Sequence, residues 1–227
     1  MKIINQIGEL KKLKTPTSYL KNPYEKYTDL LEMKNELVKY LEETDIAMGI
    51  SAPQFGIYLP IFAIKLKDGI ENFVNPQIIT FKDPFYSREG CMSFPDIQAY
   101  VIRFNKIKVE YLHFNYKNEL KKMTKNLKDL ESAAYQHEFD HLLGVTLMDR
   151  AAPLTEDQAQ NLNKTKIIRV FRDEDKKDYF LEDENIYFYS GEKVPEFNKQ
   201  IVEGIETDVP LKKSFVGFKI VKNKEGE

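Results

Sequence analysis

Between residues 24 and 43 the chain reads YEKYTDLLEMKNELVKYLEE. Tyr27, Leu30, Leu31, Leu37, Val38 and Leu41 recur there at near-helical spacing among charged positions, which predicts an amphipathic helix with one apolar stripe. The next stretch, AMGISAPQFG over 47–56, crowds Gly, Ser and Pro together and predicts a loop. Leu59 to Leu66 and Phe73 to Phe81 are rich in β-branched and aromatic residues and predict strands. Val101 to Phe104 and Ile107 to Phe114 alternate well enough for two more. Asp83-Pro84 and Phe94-Pro95-Asp96 carry turn chemistry on either side of the segment that holds Cys91. A further helix is expected from Asp129 to Leu143, with Asp129 or Ser132 capping its start and Gly144 as a left-handed C-terminal cap.

After Pro153 the periodicity thins. Thr155 to Lys166 reads as a short helix, and Ile167 to Phe171, Asn185 to Tyr189 and Phe215 to Val221 as strands. The acidic runs Asp173-Glu174-Asp175 and Glu182-Asp183-Glu184 read as solvated loops. Strands first and a buried helix afterwards give an α+β fold, with small antiparallel or mixed sheets packed around that central helix. Residues 1–153 form the main domain. Residues 154–227 are expected to be an extension of short helix and strands packed on the same domain.

Composition narrows the classes. The 227 residues are 42% hydrophobic, enough for a core without disulfides. A net charge of −2 gives no global attraction to nucleic acid or anionic lipid. No apolar run is long enough to span a membrane, and MKIINQIGELKKLKTP has no signal-peptide pattern. One cysteine, Cys91, excludes an internal disulfide and suits a reducing cytosol.

The chemistry concentrates in Gln136-His137-Glu138-Phe139-Asp140-His141. Four helical steps turn about 400°, so both imidazoles share one face, with Glu138 beside them as a proton acceptor. The chain has three His, and two of them fall here. Apolar neighbours Phe139, Leu142 and Leu143 imply burial, and two buried imidazoles without partners cost about 1–3 kcal/mol for each unmet group. A metal satisfies both. A catalytic site wants three protein ligands and an open position. No His follows His141, so the remaining soft donor is Cys91, although a single cysteine on residue type alone is more often a small buried hydrophobe than a ligand.

Three blocks occur in order across roughly residues 20–150: Gly49-Ile50-Ser51-Ala52-Pro53-Gln54, Glu89-Gly90-Cys91-Met92-Ser93, and the histidine block. Together they resemble the peptide deformylases. The resemblance implies that Cys91, His137 and His141 are metal ligands, with water at the fourth place attacking the formyl carbon. It implies Glu138 as general base, and the Gln54 side-chain amide and the Met92 backbone N–H as donors to the oxyanion. Backbone groups of Met48 and Gly49 would hold the substrate main chain as an added strand. Ala133 and Ala134 would wall the methionine pocket, with Phe94 and Tyr100 as weaker candidates that read rather as plain core residues.

The reaction implied is removal of the formyl group from N-formylmethionine of nascent polypeptides, releasing formate. Fe²⁺ is the metal the resemblance implies, with Zn²⁺, Ni²⁺ or Co²⁺ as substitutes, although the Irving–Williams order favours zinc over ferrous iron at an N₂S site. The expected location is the cytoplasm, with no DNA or membrane partner. Alternatives are a general HExxH metallopeptidase and an inactive deformylase-like nascent-chain binder.

The chain also departs from the family. Ala47 stands where a glycine is common, Met92 where a leucine is common, and Gln98 where many relatives carry an arginine. Arg103 is a candidate partner for Asp140, and His113 reads as structural. Between Leu211 and Lys224 lie five Lys and no acid. They read either as a strip touching ribosomal RNA or as lysines guarding an edge strand.

Overall fold

The computed structural model describes residue 3, residues 6–151, and the backbone of four strands at 165–172, 178–182, 185–188 and 214–222. A helix not foreseen from the pattern, α1 (Gln6–Leu13), comes first. A 3₁₀ turn at Pro23–Lys26, capped by the Asn22 side chain, leads into α2 (Tyr27–Glu43). Leu30, Met33, Leu37 and Leu41 are its buried stripe, at the spacing that one helix face requires.

The expected loop at 47–56 holds a short strand, β1 (Gly49–Ser51), and a 3₁₀ turn at Ala52–Phe55. Then come β2 (Ile61–Leu66), β3 (Gly69–Cys91), β4 (Phe94–Phe114) and β5 (Leu120–Lys128). These five form one sheet in sequence order, and every pairing is antiparallel. The α+β expectation holds, with no mixed sheet among the described residues. In β2 the run Ile61 to Ile64 is buried throughout because both faces are covered. Ile61 and Ala63 pack in the cluster with α2, while Phe62 and Ile64 pack in the cluster with Tyr135 and Leu142 of α3 (Asp129–Leu142).

Two expectations need correction. Asp83-Pro84 is no turn: β3 runs through it, and Asp83 takes a left-handed φ of 58° as a local kink. The two strands expected at Val101 to Phe104 and Ile107 to Phe114 are parts of β4, which also absorbs Phe94-Pro95-Asp96. The reversal falls instead at Met92 and Ser93, beside Cys91. Register shifts between Val74 and Gln77, and between Ile78 and Thr80, mark bulges that bend the long hairpin.

The start of α3 is also held differently from expectation. Lys128 is the cap residue and supplies no side-chain bond, and Asp129 has φ of 54°. The Ser132 hydroxyl instead donates to the Phe104 carbonyl at 2.7 Å. The Gln136 amide donates to the same carbonyl at 2.8 Å, and its oxygen accepts from the Phe104 N–H at 3.0 Å. These bonds fix α3 against β4. Gly144 does take the left-handed conformation, with φ of 70°, and a Cβ there would lie 2.6 Å from the Lys14 carbonyl oxygen. A short helix, α4 (Leu147–Arg150), follows, capped by Thr146 and Asp149.

Strands β6 (Thr165–Arg172), β7 (Asp178–Glu182), β8 (Asn185–Phe188) and β9 (Ser214–Lys222) form an antiparallel sheet in the order β8-β7-β6-β9. The strands expected after Pro153 fall within β6, β8 and β9, although Tyr189 lies outside the described residues, and β7 was not expected. Of the helix expected at Thr155 to Lys166, residues 155–164 lie outside the described residues, and 165–166 belong to β6. Asp173-Glu174-Asp175 also lies outside them. Most of the lysine-rich run from Leu211 to Lys224 falls on β9, an edge strand of its sheet.

Candidate metal centre

Cys91 closes β3, so its thiol sits where the long hairpin reverses. His137 and His141 stand one helical turn apart on α3, with ring centroids 5.1 Å apart. Folding the hairpin onto α3 brings the three donor atoms within 4.8 Å of one another, all three residues buried. Cys91 Sγ is 3.3 Å from His141 Nε2. A tetrahedral cation with ordinary bond lengths to sulfur and nitrogen sets those two donors about 3.6 Å apart, so the spacing fits one shared ion. An N₂S donor set suits a transition metal of borderline softness.

The electrostatics prepare the donors. Burial pushes the Cys91 thiol up, but the two imidazoles, His141 foremost, override it and bring it down to about 5. A thiolate is the form that binds a metal. His137 Nδ1 lies 2.9 Å from Glu89 Oε2. An ionised carboxylate only accepts, so Nδ1 carries a proton and Nε2 is the nitrogen that faces the centre. Burial disfavours the Glu89 charge, yet the Arg103 guanidinium outweighs it and holds the carboxyl far below the usual range.

That guanidinium is 1% exposed and serves two acids. Its Nε and Nη2 donate to Glu89 at 2.9 and 2.8 Å, and Nη1 donates to Asp140 Oδ2 at 2.5 Å. Arg150, brought in by α4, adds a second pair to Asp140, with Nη2 at 2.9 Å from Oδ1. Two buried cations and two buried anions therefore lock β3, β4 and α4 to the helix that carries the histidines. The Arg103–Asp140 pair was anticipated from sequence. Glu89 and Arg150 were not given roles, although Glu89 stands two positions before Cys91 inside a recognised block.

Glu138 is 3% exposed, and its Oε2 has no hydrogen-bond partner among the described residues. Burial raises its carboxyl above the ordinary glutamate value. Gly49 gives it room: a Cβ there would lie 2.7 Å from both Cγ and Oε1 of Glu138. Gln54 is clamped by its oxygen, which accepts from the backbone N–H and the hydroxyl of Ser51, each at 3.0 Å. A backbone N–H can only donate, so the amide's oxygen must face Ser51 and its NH₂ must face the thiol. Nε2 lies 3.7 Å from Cys91 Sγ and 3.3 Å from Ser93 Oγ.

A cavity of about 680 Å³ opens onto this centre. Met92, Phe94, Ala133, Ala134 and Gln98 line it, as do Ala47, Met48 and Gly49. Tyr100 is not among the lining residues, and Phe94 is also packed in a small core cluster behind Cys91. Ala47 is not at positive φ, so alanine is unstrained there. The Met48 carbonyl accepts from Lys65 N–H at 2.8 Å and thus faces β2. Antiparallel strands alternate their hydrogen-bonding edge, so Gly49 presents its N–H and C=O to the outer edge of β1 instead. His113 lies away from the centre, with Nδ1 3.3 Å from the Asn72 carbonyl.

A family model described as polypeptide deformylase matches residues 1–157. A peptide deformylase of Thermotoga petrophila is 36% identical over 134 residues, 58% of this chain and 78% of that protein. Peptide deformylase 1 of Vibrio vulnificus is 32% identical over 153 residues, 65% of this chain and 89% of that protein. The crystal structure of the Thermotoga maritima peptide deformylase superposes with a TM-score of 0.57 at 27% identity, covering 67% of this chain and 97% of that one. A plant peptide deformylase does so with a TM-score of 0.57 at 26% identity, covering 70% of this chain and 85% of that one.

Proposed function

The chain belongs to the polypeptide deformylase family, and from that premise we infer that it hydrolyses the N-terminal formamide of formyl-methionyl nascent polypeptides, with Cys91, His137 and His141 holding one divalent metal. The observation that carries the reading is the meeting of those three donors within 4.8 Å, beside a buried carboxylate with an unpartnered oxygen. A divalent cation held there supplies Lewis acidity and can lower the pKa of water from 15.7 to about 7.

The chain's own groups do the rest. Glu138 takes a proton from the attacking water. Water oxygen bonds to the formyl carbon, the C–N bond breaks, and Glu138 returns the proton to the departing amine as formate leaves. The Gln54 NH₂, fixed by Ser51, donates to the oxygen that gains charge, together with the Met92 backbone N–H. A preorganised donor of this kind contributes about 2.7–4 kcal/mol to the barrier reduction. Gly49 pairs with the substrate main chain along the free edge of β1, and Ala133 and Ala134 leave space for the methionine side chain.

We assign ferrous iron as the native metal and the cytoplasm as the location. Thiolate ligation of iron exposes Cys91 to oxidation. Activity of the iron form should therefore decay in air, while the nickel form persists. Elemental analysis of protein purified without oxygen tests the assignment.

The mechanism is tested by formate release from a formyl-Met tripeptide. Glu138→Gln should lower kcat about 10²–10⁴-fold while metal content is kept. Equal rates for the two proteins would remove Glu138 from the mechanism. Cleavage of unformylated peptides at a comparable rate would favour a general peptidase.

A further inference from the structure

The short strand β1 divides its side chains between two faces. Ile50 packs in the core cluster that holds the apolar stripe of α2. Side chains alternate along a strand, so Gly49 and Ser51 share the opposite face, toward α3. A Cβ on Gly49 would lie 2.7 Å from Glu138 Oε1, which sets that carboxyl against the same face. Ser51 is fully buried and is not among the residues that line the cavity over the metal centre. Whatever it does for the reaction, it does through another side chain.

Two acceptors meet its hydroxyl. Oγ lies 3.0 Å from Gln54 Oε1. Burial raises the Glu138 carboxyl, and a bond from Ser51 opposes this by favouring the ionised form. A serine hydroxyl has one hydrogen, so it serves one acceptor at a time. An ionised carboxylate is the stronger acceptor of the two. Gln54 Oε1 is not left bare meanwhile, because it also accepts from the Ser51 backbone N–H at 3.0 Å. The hydrogen therefore rests on Glu138 while that group is ionised and turns to Gln54 once Glu138 holds a proton taken from water. At that stage charge is growing on the substrate oxygen. A second bond at Oε1 polarises the amide and strengthens donation from its NH₂. Ser51 keeps its hydrogen throughout, and only the acceptor changes.

We propose that Ser51 is a positioning residue that links the base to the oxyanion donor, its hydroxyl turning from Glu138 to Gln54 in each catalytic cycle; the inference rests on the deformylase reading given above. The plainer role open to Ser51 is to cap the 3₁₀ turn at Ala52–Phe55. A cap acts on stability and on where the whole turn sits, and Gln54 on that turn lines the cavity. Loss of a cap would thus show in Tm and in KM, whereas loss of the link shows in kcat.

The test compares metal-loaded parent, Ser51→Ala, Ser51→Thr, Gln54→Ala and the double variant Ser51→Ala/Gln54→Ala. Formate release from a formyl-Met tripeptide, metal content and Tm are measured for each. Ser51→Ala should lower kcat about 10-fold, the scale of one hydrogen bond, with KM, Tm and metal content at the parent level. Ser51→Thr keeps a hydroxyl and should recover kcat to within about threefold of the parent. Gln54→Ala should lose about 100-fold, and in that background the further change Ser51→Ala should cost less than about threefold.

A parent that releases formate beside a Ser51→Ala variant of equal kcat would overturn the inference and leave the deformylase reading standing. A parent that releases none would remove both. A lower Tm and a raised KM with kcat spared would reduce Ser51 to a cap. The link would also be broken by a threonine variant as slow as the alanine one at the parent Tm, or by an equal cost of Ser51→Ala with and without Gln54.

Discussion

The long hairpin of β3 and β4 carries charge in two places and treats it in opposite ways. Near the reversal, Glu89 and Arg103 are buried with Asp140 and Arg150, and every charge has an opposite charge in contact. Farther along the same two strands, Lys82 and Lys106 face each other in the open, with Lys128 alongside, and the pair that Lys106 makes with Asp83 at 2.7 Å is exposed. Water makes the difference. An exposed ammonium keeps its hydration whether or not it is paired, and exposed pairs are worth little. A buried guanidinium has lost its hydration and must be repaid by close acceptors. Charge therefore rigidifies the hairpin where it is dry and contributes little to it where it is wet.

Breaking the dry end should have the largest effect. Arg103→Ala leaves Glu89 with His137 alone and Asp140 with Arg150 alone in the core, and should destabilise the fold by about 3–5 kcal/mol in denaturant unfolding. A loss below 1 kcal/mol would mean that water reaches the cluster and that the two ends are alike after all. Next comes Gly49→Ala, which presses a methyl group onto Glu138. Displacement of a reacting group by about 1 Å can cost about 100-fold in rate. Formate release should fall on that scale while metal content stays at the parent level. An unchanged kcat would show that Glu138 has slack.

Asp149 sharpens the comparison as an intermediate case, half-buried and paired with Lys14 at 2.6 Å. Burial pushes its carboxyl up, but Lys14 and Thr146 outweigh that and hold it below the usual value. A carboxyl lowered by folding stabilises above its unfolded pKa of about 3.9 and loses that contribution as pH falls through the folded value. Asp149→Asn should therefore lower Tm near neutral pH and flatten the decline in Tm between about pH 5 and pH 3. A parallel decline in both proteins would show that the pair is inert. The smallest effect belongs to the wet end. Lys128→Gln removes one member of the row and should leave stability within about 0.5 kcal/mol of the parent, or slightly above it.

Much of this molecule was legible from pattern. The stripe on α2 and the continuous apolar run in β2 gave those elements almost at their observed limits. Gly144 was recognisable as a left-handed cap because few other residues suit that conformation. Pattern failed where a local signal met a long-range constraint. Asp83-Pro84 has the chemistry of a turn, yet β4 pairs on both sides of it, so the strand kinks and continues. The cap expected from Asp129 or Ser132 was replaced by bonds from Ser132 and Gln136 to Phe104, a residue 28 positions before Ser132.

The donor types and the pairing of His137 with His141 were set by the sequence itself, because four helical steps place two side chains on one face wherever the helix lies. The same local rule placed Glu138 next to them. Only the tertiary structure decided that Cys91, 46 positions upstream of His137 and on another element, arrives beside the two rings, and that Glu89 rather than solvent holds the His137 proton. Those contacts depend on the bend of a 23-residue strand and on burial of four charges, and neither is a property of neighbours along the chain.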